Sequence, residues 1–115
     1  MKLPGGEGAY IDPRKLVDYA LADDHREGGS DKARVFASVL GMRLADASFL
    51  TEALLAAAKT GEAASIGQGS HGALFRIDFD FQFKGRTARL RSGWIAPSDG
   101  GPTRLTTVFV LRSSG

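Results

Sequence analysis

Phe75-Arg76-Ile77-Asp78-Phe79-Asp80-Phe81-Gln82-Phe83 places an apolar residue at every second position for nine residues. That period is the signature of a β-strand with one buried face, because successive side chains on an extended backbone point to opposite sides. Lys84-Gly85 follows as a two-residue turn, and Arg86 to Ile95 returns as a second strand. Counting outward from the turn sets Phe83 against Arg86, Asp80 against Arg89, Phe79 against Leu90, Asp78 against Arg91 and Phe75 against Trp94. One face of the hairpin is then an aromatic layer and the other carries two acid–arginine pairs, which favour this register over its neighbours. Pro97-Ser98-Asp99-Gly100-Gly101-Pro102 makes a further turn into a strand over Arg104–Leu111, and Glu62–Ile66 reads as a weaker strand before the hairpin.

Upstream the period changes to a helical one. Asp12-Pro13 is a helix start, with Asp as N-cap and Pro at the first helical position, and Leu16, Val17, Ala20 and Leu21 follow at helical spacing. The polar stretch Asp23 to Gly29 reads as a loop. A second helix is expected from about Lys32 to Leu40, burying Val35, Phe36, Val39 and Leu40 and stopping at Gly41. A third runs from about Ala45 to Thr60, with Ala47, Leu50, Ala53, Leu54 and Ala58 on one stripe. The expected fold is α+β, with N-terminal helices packed on one face of a C-terminal antiparallel β-meander of three to four strands. The 115 residues read as a single domain: 1–11 a loose arm or edge strand, 12–60 helical, 62–112 sheet.

Composition narrows the chemistry. The absence of cysteine removes disulfides, thiolate metal sites and a Cys nucleophile, two histidines argue against a His-rich metal site, and no metal or cofactor is expected. No apolar run approaches the roughly 20 residues of a membrane span, and Met1 to Gly6 does not resemble a signal peptide, so a cytoplasmic location is expected. Net charge is only +2, yet residues 71–115 hold seven Lys/Arg against three Asp/Glu, six of the seven being Arg. Arginine forks suit phosphate or carboxylate, so an anionic partner is expected on that side. Gly67-Gln68-Gly69-Ser70-His71-Gly72 has the form GxGxxG but precedes a strand instead of a helix, and is not a phosphate loop.

Metal-independent RNA cleavage needs a base at the ribose 2′-hydroxyl, an acid at the leaving oxygen and cations around the phosphorane-like transition state. His25, His71, Lys32, Arg34, Arg91 and Arg104 are side chains of the right types.

Lys32-Ala33-Arg34-Val35-Phe36-Ala37-Ser38-Val39-Leu40-Gly41, together with Ile11-Asp12-Pro13-Arg14-Lys15-Leu16-Val17-Asp18-Tyr19, Arg91-Ser92-Gly93-Trp94-Ile95 and Arg104-Leu105-Thr106-Thr107-Val108-Phe109-Val110-Leu111, resembles an uncharacterised bacterial domain family with a KARVFASxLG helix. That resemblance implies a toxin-like component of a conflict or toxin–antitoxin system, encoded beside a small antitoxin or immunity protein. More remotely, the layout is similar to the barnase/EndoU/colicin/RelE-type ribonuclease toxins. The resemblance points to Lys32, Arg34, Arg91, Arg104, Thr106 and Thr107; with His25 added as proton carrier and Arg89 as a further cation, the catalytic candidates are Lys32, His25, Arg91, Arg104 and Thr106 and the substrate contacts Arg34, Arg89 and Thr107, with RNA as the expected substrate. Asp31 stands where the resemblance leads one to expect His, and Phe109 where it leads one to expect Tyr. The alternative is a non-catalytic module that binds an acidic protein or nucleic acid.

Overall fold

The computed structural model describes residues 1–16 and 35–111. Four strands form one antiparallel sheet in the order β1 (Ala63–Gly69), β2 (Gly72–Phe83), β3 (Arg86–Pro97), β4 (Arg104–Val110). The segment from Glu62 is therefore a full strand, and the GxGxxG match falls on the β1–β2 hairpin, where Gly69 faces Gly72 across Ser70-His71. All five hairpin pairs expected from the sequence occur between β2 and β3. Their register follows from the turn: Lys84 and Gly85 both have positive φ, 48° and 81°. That is the turn whose twist matches a right-handed hairpin.

The inner face of the sheet carries Phe75, Ile77, Phe81, Phe83, Leu90, Trp94, Leu105 and Val108, all in one buried cluster with the helical residues. The principal helix, α1 (Ala47–Thr60), buries Leu50, Leu54, Ala57 and Ala58 on one stripe. Asp46 accepts a hydrogen bond from Arg43 N–H ahead of it at 3.0 Å, and the Gly61 N–H closes its end on the Ala57 carbonyl at 2.7 Å. Phe49 reaches the β2–β3 end, edge-on to Phe83 with ring centres 5.6 Å apart.

Of the two readings offered for residues 1–11, a loose arm or an edge strand, the segment is a docked one: Leu3 and Ile11 are buried, Met1 O accepts from Ala63 N–H, and Tyr10 forms a parallel bridge to Arg104. Two sequence expectations need correction. The segment ahead of Gly41 is described from Val35 onward and runs as a π-helical turn over Phe36–Leu40. Phe36 and Leu40 are buried, whereas Val35 and Val39 are each 39% exposed, because only one side of this short turn meets the core. Phe79 packs against the core but is only partly buried, unlike Trp94 opposite Phe75. The expected N-cap is present: Asp12 Oδ1 accepts from Arg14 N–H at 3.0 Å, and backbone bonds to Asp12 and Pro13 begin a helical turn that the described residues follow to Leu16.

Candidate functional site

The outer face of the sheet is where the arginines emerge. Alternation on β2 sends Arg76, Asp78 and Asp80 outward, and on β3 it sends Arg89, Arg91, Gly93 and Ile95 the same way. Among the described residues the helices pack only on the opposite, aromatic face.

β4 departs from strict alternation. Trp94 pairs with Leu105 and Gly93 with Thr107, so Thr106 is the extra residue of a β-bulge. A Cβ built on Gly93 would meet Thr106 Oγ1 at 2.8 Å and Thr107 Cγ2 at 3.1 Å. Both threonine side chains therefore lean over the outer face of Gly93, where only glycine leaves room for them. Arg104, opposite Ile95, emerges on this same face and is exposed.

Two of the arginines are already engaged. Arg91 donates from Nε and Nη2 to the two carboxylate oxygens of Asp78, both at 2.9 Å, and Arg89 Nη1 donates to Asp80 Oδ1 at 2.9 Å. The Arg91 hydrogen bonds, followed by its charge and those of Arg76 and Arg89, hold the Asp78 carboxyl below its ordinary value of 3.8 against the opposing effect of burial. The bonds to Asp78 raise the Arg91 guanidinium in turn. Since the folded carboxyl titrates below its unfolded value, its contribution to stability is complete above about pH 4 and is lost as pH falls through the folded value. Asp78→Asn is expected to be less stable than wild type near pH 7 and to approach it near pH 2 in urea unfolding. A stability difference that is the same at both pH values would show that the pair contributes nothing through charge.

Arg91 faces Phe109 on β4 and Arg104 faces Ile95 on β3. The two arginines are thus four strand residues apart along the sheet, about 13 Å at the usual rise, with Gly93 midway. Thr106 and Thr107 sit at that midpoint. Lys32, His25 and Arg34 lie outside the described residues, as does Asp31. His71 occupies the β1–β2 turn, where its carbonyl accepts from Ser98 N–H at 3.0 Å. Among the described residues no group of three or more His, Asp or Glu is placed to hold a metal ion, and no helix is long and apolar enough to cross a membrane.

Arg76 is the residue that sequence reasoning passed over. Its neighbours across the sheet are Ala64 on β1 and Gly93 on β3, so no carboxylate faces it. Extending the hairpin count by one step would set Arg76 against Gly93, but the β1 neighbour and the bulge on β4 are beyond its reach.

A helical layer on one face of a four-stranded meander, with an arginine-bearing opposite face, defines a small α+β domain of the one-sided class. The chain belongs to the family described as "Domain of unknown function (DUF6883)", whose profile matches residues 2–112. In fold it is similar to a chain of the "Contact-dependent growth inhibition toxin - immunity protein complex from Klebsiella pneumoniae 342", with a TM-score of 0.63 over 95% of this chain and 98% of that one. Identity in that comparison is 14%, so the likeness is one of fold. No curated protein matches the chain.

Proposed function

We propose that the chain is a toxin-like component of a bacterial conflict system and acts as a metal-independent ribonuclease through the outer face of its sheet. The observation that carries this reading is a sheet face lined by arginine and threonine, in a fold similar over almost its whole length to a chain of a toxin–immunity complex. Arg91 and Arg104 flank the midpoint at Gly93 and grip the RNA backbone on either side of the scissile phosphate. Thr106 positions that phosphate, with Arg89 and Thr107 as further contacts. Proton transfer falls to Lys32 or His25, and Arg34 contributes from the same segment. The cations offset charge that develops on the phosphorane oxygens, where a fixed donor acts more strongly than in bulk water. A small immunity or antitoxin protein with an acidic surface would neutralise the toxin by covering this face, since complementary charge speeds encounter and suppresses wrong partners.

The test is incubation of the purified protein with total RNA in EDTA, paired with growth after induced expression. Wild type is expected to cleave RNA and arrest growth, and Arg104→Ala to slow cleavage at least tenfold. Any affinity for RNA should fall steeply with added salt, because phosphate contacts release counterions. A wild-type protein that neither cleaves RNA nor arrests growth sinks the ribonuclease reading. It favours the non-catalytic module, for which the engagement of Arg89 and Arg91 by Asp80 and Asp78 already speaks.

A further inference from the structure

The outer face carries one row of residues whose arrangement the ion pairs do not explain. Arg76 on β2 faces Gly93 on β3, which faces the Thr106–Thr107 bulge on β4. Neighbouring strands lie about 4.8 Å apart, so Arg76 and the bulge are about 10 Å apart at the backbone with no side chain between them. A guanidinium extends most of that distance along its stem. The threonine side chains already lean inward over Gly93. The row thus sets a five-donor cation on one side of Gly93 and a hydroxyl on the other, with the threonine side chains covering the glycine backbone between them.

Charge bookkeeping singles out the same residue. Arg89 and Arg91 are matched one to one by Asp80 and Asp78, which leaves their pairs close to neutral. Among the described residues Arg76 and Arg104 make no ion pair, and of the two it is Arg76 that lies directly across from Gly93, whereas Arg104 faces Ile95, two residues farther along β3. Arg76 is half-buried, so part of its hydration is already removed and an anion reaching it gains more than at a fully exposed arginine. Its charge is felt at Asp78, two residues along the same face.

We infer that Arg76 and Thr106, converging above Gly93, form an oxyanion-binding site that takes a phosphate group, with Arg76 as its principal cation. The site deepens the ribonuclease reading by naming where on the outer face the phosphate sits, and it rests on that face being the working surface. Arg91, held by Asp78, and Arg104 then border the site on either side, where they grip the flanking RNA backbone. Gly93 is required because a methyl group there would collide with Thr106 Oγ1.

The experiment is titration of the ¹⁵N-labelled protein with inorganic phosphate, followed by amide and arginine Nε–H shifts, for wild type, Arg76→Gln, Arg76→Lys, Thr106→Val and Lys59→Gln. Lys59 lies in the last turn of α1 and serves as a control for net charge. Saturable shifts at Gly93, Thr106, Thr107 and the Arg76 side chain are expected in wild type. Arg76→Gln should weaken the fitted affinity at least fivefold, Arg76→Lys less, and Lys59→Gln less than twofold. Thr106→Val, which keeps the shape of the side chain, should weaken it about threefold. Unchanged thermal melting of each variant separates loss of binding from loss of fold. No saturable shift at Gly93 in wild type, or equal weakening by Arg76→Gln and Lys59→Gln, overturns the site. RNA cleavage measured on the same samples keeps the two conclusions apart: cleavage that persists in Arg76→Gln overturns this site while leaving the ribonuclease reading intact. Phosphate binding without cleavage supports the site and removes the ribonuclease.

Discussion

Replacing Trp94 with alanine is expected to destabilise the protein by about 3–5 kcal/mol, the usual cost of truncating a fully buried large aromatic side chain. The indole is completely enclosed, set between Phe75 on β2 and Leu105 on β4. It also completes a buried polar relay: Trp94 Nε1–H donates to Ser92 Oγ at 2.9 Å, and Ser92 Oγ–H donates to the Ile77 carbonyl at 2.8 Å. Truncation therefore empties a cavity and strips the Ser92 oxygen of its donor, two penalties at once. Domains of this size are stable by only about 5–15 kcal/mol, so the loss is about a fifth or more of the total. Phe79→Ala should cost clearly less, since that ring is only partly buried. Urea unfolding of the two variants beside wild type measures both. A Trp94→Ala protein within about 1 kcal/mol of wild type would mean that the inner layer is not packed as described.

Gly6→Ala is the second large effect, expected at about 1–3 kcal/mol through overpacking. A Cβ on Gly6 would lie 1.9 Å from the Ala58 carbonyl oxygen, which is backbone of α1 and has no rotamer into which to retreat. The N-terminal segment would have to lift away. Its moorings would go with it: the burial of Leu3, the Thr103 hydroxyl bond to the Pro4 carbonyl at 2.7 Å, and the two backbone bonds of Tyr10 to Thr103 and Leu105. Gly8→Ala is the matched control, because nothing lies within 4 Å of its built Cβ. Thermal melting should separate the two variants, and amide exchange at Leu105 should speed up only in Gly6→Ala. Equal stability in both would show that the segment does not dock on α1.

The site is read from the same two kinds of information that these variants probe, local pattern and long-range packing. Arg89, Arg91, Asp78 and Asp80 could be placed by counting along the chain, because a two-residue turn fixes every partner in the hairpin that follows. Arg91 could therefore be placed opposite Asp78 from sequence, though not whether it would engage Asp78 with one donor or two. Thr106 and Thr107 show the limit of counting. Strict alternation would send them to opposite faces, yet the bulge puts both over Gly93. Lys32, His25 and Arg34, the members drawn from the helical half, lie outside the described residues, so the proposed proton-transfer groups rest on sequence alone.

What the amino-acid sequence determined by itself is the part governed by covalent geometry and near neighbours: the period-two strand from Phe75 to Phe83, the hairpin register and the stop of α1 at Gly61. Each follows from forces acting over a few residues, where the alternation of side chains and the chemistry of a turn admit one answer. Tertiary structure alone decided the docking of the N-terminal segment, the exposure of Val35 and Val39, the partial burial of Phe79 and the bulge at Thr106. Those depend on which surfaces meet across long stretches of chain. An apolar residue is buried only if another element arrives to cover it, and two threonines share a face only if the strand beside them offers a glycine.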